Sequence, residues 1–152
     1  MICLDDLNAE FNLAVGHCAD PKAITVHDLA GNPDRTITAP GTVTDFNLVG
    51  SARFSPDSQR VAFALAKGDP SGEQGYVAVS DSLDGASNFV ATTDPGGYYT
   101  VLAWLNDSTL LIQLNTLQCS PTCDNSLWTI GIGGDNLTKV TDGVFLALMG
   151  GS

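Results

Sequence analysis

Glutamate and lysine are nearly missing from this sequence: of its 152 residues, 2 are Glu and 3 are Lys. Surface helices draw heavily on those side chains, whereas the 15 Asp, 16 Gly, 11 Ser and 7 Pro favour turns. An architecture with several surface helices is excluded, and the chain reads as all-β. Cations are scarce too. The 6 basic residues (Lys22, Arg35, Arg53, Arg60, Lys67 and Lys139) stand singly against 17 acidic ones, for a net charge of −11. Nucleic-acid binding needs clustered Lys and Arg to displace phosphate counterions, so no nucleic-acid partner is expected. The same charge opposes an anionic membrane surface. No stretch approaches the roughly 18 consecutive apolar residues of a spanning helix, so no membrane insertion is expected. Met1-Ile2-Cys3-Leu4-Asp5 lacks the basic start and apolar core of a signal peptide.

Catalytic signatures are missing as well. The chain has no Gly-x-Ser-x-Gly, His-Glu-x-x-His, phosphate loop or dinucleotide fingerprint. Its only histidines are His17, beside Cys18, and His27, beside Asp28 in a strand-like run. Both read as packing or surface residues. Glu10 and Glu73 are too isolated to form a glycosidase pair. The chain is expected not to be an enzyme. Disorder is excluded in turn, because 43% of the residues are hydrophobic.

What is present is a recurrent pattern. Phe54-Ser55-Pro56-Asp57-Ser58 precedes the alternating run Val61, Phe63, Leu65. Later, Trp104-Leu105-Asn106-Asp107-Ser108 precedes Leu110, Leu111, Ile112 and Leu114, and a weaker echo places Cys3-Leu4-Asp5-Asp6 before Phe11, Leu13 and Val15. A second element recurs in Ile24–Gly31, Val77–Gly85 and Leu127–Gly134. Short β-like stretches follow it at Arg35–Thr38, Asn88–Thr92 and Leu137–Thr141. The period is about fifty residues, with four strand-like runs in each, which is the arithmetic of a β-propeller blade. Pro56-Asp57 and Asn106-Asp107 supply turn chemistry, and Asp57, Asp107 and Asp6 are assigned to turn formation. Asp84-Gly85 and Gly133-Gly134 supply the φ > 0 residues of hairpin turns. Longer loops are expected over Lys67–Gly75 and Asn115–Asn125. Phe54, Phe63 and Trp104 are assigned to the core, and Trp128 to packing between neighbouring sheets.

The Phe54-Ser55-Pro56-Asp57 turn, followed by Val61-Ala62-Phe63 and Tyr76-Val77-Ala78-Val79, resembles the WD-like repeats of TolB-type propellers. The propeller domains of the prolyl oligopeptidase family carry the same repeat. The family's glycine after Pro-Asp is replaced here by Ser58 and Ser108, and its proline by Asn106. The resemblance implies one propeller-like domain over residues 1–152, as about three four-stranded antiparallel blades near 1–48, 49–98 and 99–142. Natural propellers have roughly four to eight blades. The expectation is therefore part of a longer propeller, or half of a six-bladed ring formed as a homodimer. A β-sandwich is the alternative fold. The first repeat leaves little room for its own first strand, so the terminal run Val144–Met149 is expected to complete a first blade. The resemblance also implies extracytoplasmic placement, periplasmic or secreted.

The cysteines agree with that placement. Proximity pairs Cys3 with Cys18 and Cys119 with Cys123 as disulfides. The alternatives are a zinc site using Cys119-Ser120-Pro121-Thr122-Cys123 and His17, and free structural thiols. No cofactor is expected, with calcium left open by Asp81-Ser82-Leu83-Asp84-Gly85, which reads better as a hairpin turn. Asn106-Asp107-Ser108 and Asn136-Leu137-Thr138 match the N-glycosylation pattern. The candidate binding residues are Asp94, Tyr98 and Tyr99, around the Asp94-Pro95-Gly96-Gly97 loop between the second and third repeats. Tyrosine offers a large contact area with a polar end. The expected role is non-catalytic recognition of a protein partner or cell-surface component. The alternatives are the propeller portion of a prolyl-oligopeptidase-like hydrolase and a calcium- or sugar-binding propeller.

Overall fold

A computed structural model of the chain describes residues 4–17, 23–41, 46–67, 74–116 and 125–143. These residues form twelve strands and no helix: β1 (Leu4–Asn8), β2 (Leu13–Gly16), β3 (Ala23–Asp28), β4 (Arg35–Thr38), β5 (Phe46–Phe54), β6 (Val61–Lys67), β7 (Gln74–Ser80), β8 (Ser87–Thr92), β9 (Gly97–Asn106), β10 (Thr109–Thr116), β11 (Ser126–Gly131) and β12 (Thr138–Asp142). The fold is all-β with antiparallel pairing, as the composition requires. No helix among the described residues is long and apolar enough to cross a membrane.

Strands β1 to β4 form one four-stranded sheet in sequence order. Strands β5 to β12 form a second sheet, in which β5-β6-β7-β8 and β9-β10-β11-β12 are two successive antiparallel runs. A single parallel pair, Gln74 with Gly97, joins those two runs. We refer to β1–β4, β5–β8 and β9–β12 as the first, second and third sets.

Two apolar clusters hold the sets together. Leu13, Val15, Ile24, Val26 and Ile37 of the first set meet Val61, Phe63, Leu65, Tyr76 and Ala78 of the second. Ala62, Ala64, Val77, Val79 and Val90 of the second set meet Tyr99, Val101, Leu110, Ile112 and Ile130 of the third. Successive side chains of a strand point to opposite faces. The middle set is therefore buried on both faces, and six of the seven residues of β6 are buried. Continuous apolar runs such as Val61–Ala66 are what a doubly covered strand requires.

The turns follow local chemistry. Ser58 N–H donates to Ser55 O at 2.8 Å, and Asp57 accepts from Ser55 Oγ at 2.6 Å and from Gln59 N at 3.1 Å. Ser58 has φ +54°, a backbone angle that favours glycine. Asn106 does the corresponding work in the β9–β10 turn by accepting from Ser108 N at 2.9 Å. Gly31, Gly85 and Gly134 carry φ of +91°, +89° and +81° in the turns between the last two strands of each set. These are backbone angles that glycine adopts without a Cβ penalty. Asp81–Gly85 is the hairpin turn between β7 and β8.

Two expectations are corrected. The first set has its own first strand, β1, which pairs with β2 from Leu4–Gly16 to Asn8–Leu13. The terminal run 144–149 lies outside the described residues. Asp6 is not a turn residue: it lies within β1, where its carboxylate accepts from Phe54 N at 3.0 Å and from Leu7 N at 2.9 Å. The β1–β2 turn is made instead by Ala9–Asn12, with Asn12 at φ +53°.

That Asp6 bond belongs to a seam between the first strands of the three sets. Arg53 of β5 donates to Asp5 O at 2.6 Å and to Leu102 O at 3.2 Å, so one guanidinium spans β1, β5 and β9. Trp104 Nε1 returns a bond to Arg53 O at 3.0 Å, and Val101 N donates to Ser51 Oγ at 3.0 Å. Arg53→Met keeps most of the side-chain bulk and removes the donors. Hydrogen bonds to charged groups contribute about 1.5–3 kcal/mol, so urea unfolding is expected to show a loss of about 2 kcal/mol. An unchanged midpoint would refute the seam as a stabilising element.

Acid sensitivity follows from the turns. The Ser55 hydroxyl, then Gln59 N–H, hold the Asp57 carboxyl below the usual carboxylate range. The Asn32 amide, then Ala30 N–H, do the same for Asp28. A depressed folded-state value means stability that is present above the usual carboxylate range and lost as pH falls through the lowered value. The melting-temperature gap between wild type and Asp57→Ala is expected to be open at neutral pH and to close on acidification. A gap constant down to pH about 2 would contradict this.

Candidate functional site

The connection between the second and third sets is pinned at its base and open at its tip. Thr93, 6% exposed, carries most of the pinning. Its Oγ1 accepts from Gly75 N at 2.8 Å and donates to Gly97 O at 2.9 Å, while its N–H donates to Gly75 O at 2.8 Å. Gln74 Nε2 donates to Thr93 O at 3.0 Å and is itself buttressed by the Tyr76 hydroxyl on its Oε1 at 2.8 Å. Beyond this base Asp94 and Pro95 are exposed, and Gly96 turns the chain at φ +94°.

The candidate residues then separate. Asp94 stands on the loop, and Tyr98 and Tyr99 are adjacent in β9. Tyr99 is buried at 6% exposure against Ala64, Val101 and Ile112, whereas Tyr98 is half-buried. Burial pushes the Tyr99 phenol up, and the Asp94 carboxylate adds to the shift. Asp94 and Tyr99 share a cleft of about 430 Å³ with Pro95, Leu114, Trp128 and Leu137. Tyr98 lies outside it and lines a smaller concavity with Gly50, Ser51 and Leu65, which Tyr99 also borders. Asn115 Nδ2 donates to Thr100 Oγ1 at 3.0 Å and Tyr98 O at 3.4 Å, tying β9 to β10 on that side.

Trp128 is the residue the sequence assigned to packing alone. It does pack against the second cluster, but it is only half-buried and its ring forms part of the cleft wall. Its Nε1–H donates to Ser126 Oγ at 2.8 Å, which fixes the ring. Leu114 and Leu137 were not singled out from sequence. Leu137 is 45% exposed, and Leu114 half-buried, so the cleft presents apolar surface to solvent. The signal that could have found Leu114 is strand register, which pairs it with Ser126, two residues from Trp128, while Leu137 lies just before β12.

The remaining candidates are placed as follows. His17 Nδ1 meets Asp5 Oδ2 at 2.7 Å, and His27 Nδ1 meets Asp34 Oδ2 at 2.8 Å. Among the described residues no three His, Cys, Asp or Glu side chains gather as a metal-ligand group. Cys3, Cys18, Cys119 and Cys123, the residues of the disulfide and zinc readings, all lie outside the described residues. Asn136, in the second glycosylation pattern, has φ +56° in an exposed turn and donates to Asp135 Oδ2 at 2.8 Å. A further concavity is lined by Ser108, Thr109, Thr129, Asp135 and Thr138.

No protein-family model matches the chain, nor does any curated protein or solved structure. The reading of the cleft rests on its own residues.

Proposed function

We propose that this chain is a three-bladed portion of a TolB-like β-propeller that acts as a non-catalytic, extracytoplasmic recognition module for a protein or cell-surface partner. Three four-strand sets stacked through two apolar interfaces support the blade reading, since a two-layer sandwich would have one such interface. The cleft at the junction of the second and third sets is the docking site. The observation that carries this is the cleft itself: an open apolar wall of Leu114, Trp128 and Leu137 beside the exposed Asp94–Gly96 loop tip. Exposed aromatic and aliphatic groups rimmed by a polar loop are the usual composition of a protein-binding surface.

Selection of a displayed peptide library on the immobilised chain tests the reading. Enriched peptides are expected to lose binding by about tenfold or more to the Trp128→Ala/Leu137→Ala double variant, since anchors in an interface centre contribute about 2 kcal/mol or more. Enriched peptides that bind wild type and double variant alike would place recognition elsewhere and overturn the cleft as the docking site.

A further inference from the structure

We infer that the cleft selects a cationic side chain, an arginine above all, from its partner segment. This rests on the docking reading of the same cleft and names what it takes. Three observations lead here. Among the described residues, the only charged one lining the cleft is an anion, Asp94, on its exposed loop. The wall holds two aromatic rings, Tyr99 and Trp128, and the Ser126 bond fixes the second of them. The chain carries a net charge of −11, so a basic segment is drawn to it from a distance, with the attraction falling as salt rises.

The competing cation is accounted for. Lys139 is the register partner of Trp128 in β12, but its ammonium is ion-paired with the Asp142 carboxylate. The molecule already uses the same recognition chemistry internally: the Arg60 guanidinium lies over the Trp104 ring, 5.6 Å from its centroid. A guanidinium suits the cleft better than an ammonium, because its flat, weakly hydrated face stacks on an aromatic ring while its edge donates to a carboxylate. A volume of about 430 Å³ lies within the range of sites that enclose small ligands.

The test uses two capped pentapeptides that differ in one group, Gly-Gly-Arg-Gly-Gly and the same peptide with citrulline, the neutral isostere of arginine. Each is titrated into the full chain and followed by NMR chemical shifts. The arginine peptide is expected to bind about tenfold more tightly, the sum of a cation–π contact and an exposed ion pair. Asp94→Asn is expected to shrink that preference to about threefold, and Trp128→Leu to shrink it by a similar factor. Asp107→Asn, which removes one exposed turn carboxylate that does not line the cleft, is expected to leave the preference unchanged. Melting curves confirm that each variant is folded.

Equal binding of the two peptides would overturn the inference while leaving the cleft as a docking site for a neutral segment. A preference that falls equally with Asp107→Asn, or survives both cleft variants, would trace it to bulk charge and overturn the inference as well. Binding of neither peptide at millimolar concentration would do the same, and the library selection would then decide separately whether the cleft docks anything.

Discussion

Gly75→Ala is expected to destabilise the chain by about 2–3 kcal/mol, far beyond an ordinary glycine-to-alanine change in a strand. A Cβ at position 75 would stand 2.5 Å from Tyr98 Cα, 3.0 Å from Tyr99 N and 3.1 Å from Gly97 O. All three are backbone atoms, so no side chain can swing aside. The strands must move apart at Gln74–Gly97, the parallel strand pair between β7 and β9. That movement would also loosen the Thr93 bonds on Gly75 at the base of the candidate loop. Urea unfolding gives the stability change, and near-ultraviolet circular dichroism reports the tyrosine and tryptophan environments. A variant with wild-type stability and an unchanged aromatic signal would mean that β7 and β9 are not held as closely as described.

Phe63→Ala is expected to cost more, about 3–5 kcal/mol, because the ring is 1% exposed and its removal leaves a cavity between the first and second sets. Leu137→Ala provides the contrast. Its side chain is 45% exposed on the cleft rim, so its loss is expected to change stability by less than about 0.5 kcal/mol while weakening partner binding. The pair of variants separates residues that hold the molecule from residues that present its surface. Equal losses from both would show that the rim is part of the core.

Much of the fold was legible before any coordinates. The run Val61, Phe63, Leu65 falls in β6, Arg35–Thr38 is β4 in full, and Gly85 and Gly134 sit at the positive φ that their hairpin turns require. These features are local: alternation, turn chemistry and glycine's freedom act within a few residues. Strand β1 was hidden because Leu4-Asp5-Asp6-Leu7-Asn8 neither alternates nor favours a strand, and Asp is depleted in strands generally. It is held as a strand from outside, through the Asp6 carboxylate on Phe54 N and the Arg53 guanidinium on Asp5 O.

The candidate site was half legible for the same reason. Asp94, Tyr98 and Tyr99 share one short segment, which a linear reading can find. Strand alternation already separates the two tyrosines, and only Tyr99 joins Asp94 in the larger cleft. Trp128 comes to that cleft from β11, and Leu137 from the segment that leads into β12. Only register, through the β10–β11 and β11–β12 pairings, brings them beside a loop more than thirty residues earlier.

The two faces of the middle set differ in bulk. Toward the first set it presents Phe63, Leu65 and Tyr76, and toward the third it presents Ala62, Ala64, Ala91, Val77 and Val79. Synthesis runs from the amino terminus, so the partner for the bulky face has already left the ribosome when β6 appears. The partner for the opposite face has not. The surface that waits naked for β9–β11 is thus built from the smaller side chains, which expose less apolar area while it waits. A nascent chain stalled after β8 would hold its adhesive residues inside and offer only a shallow surface to neighbouring chains.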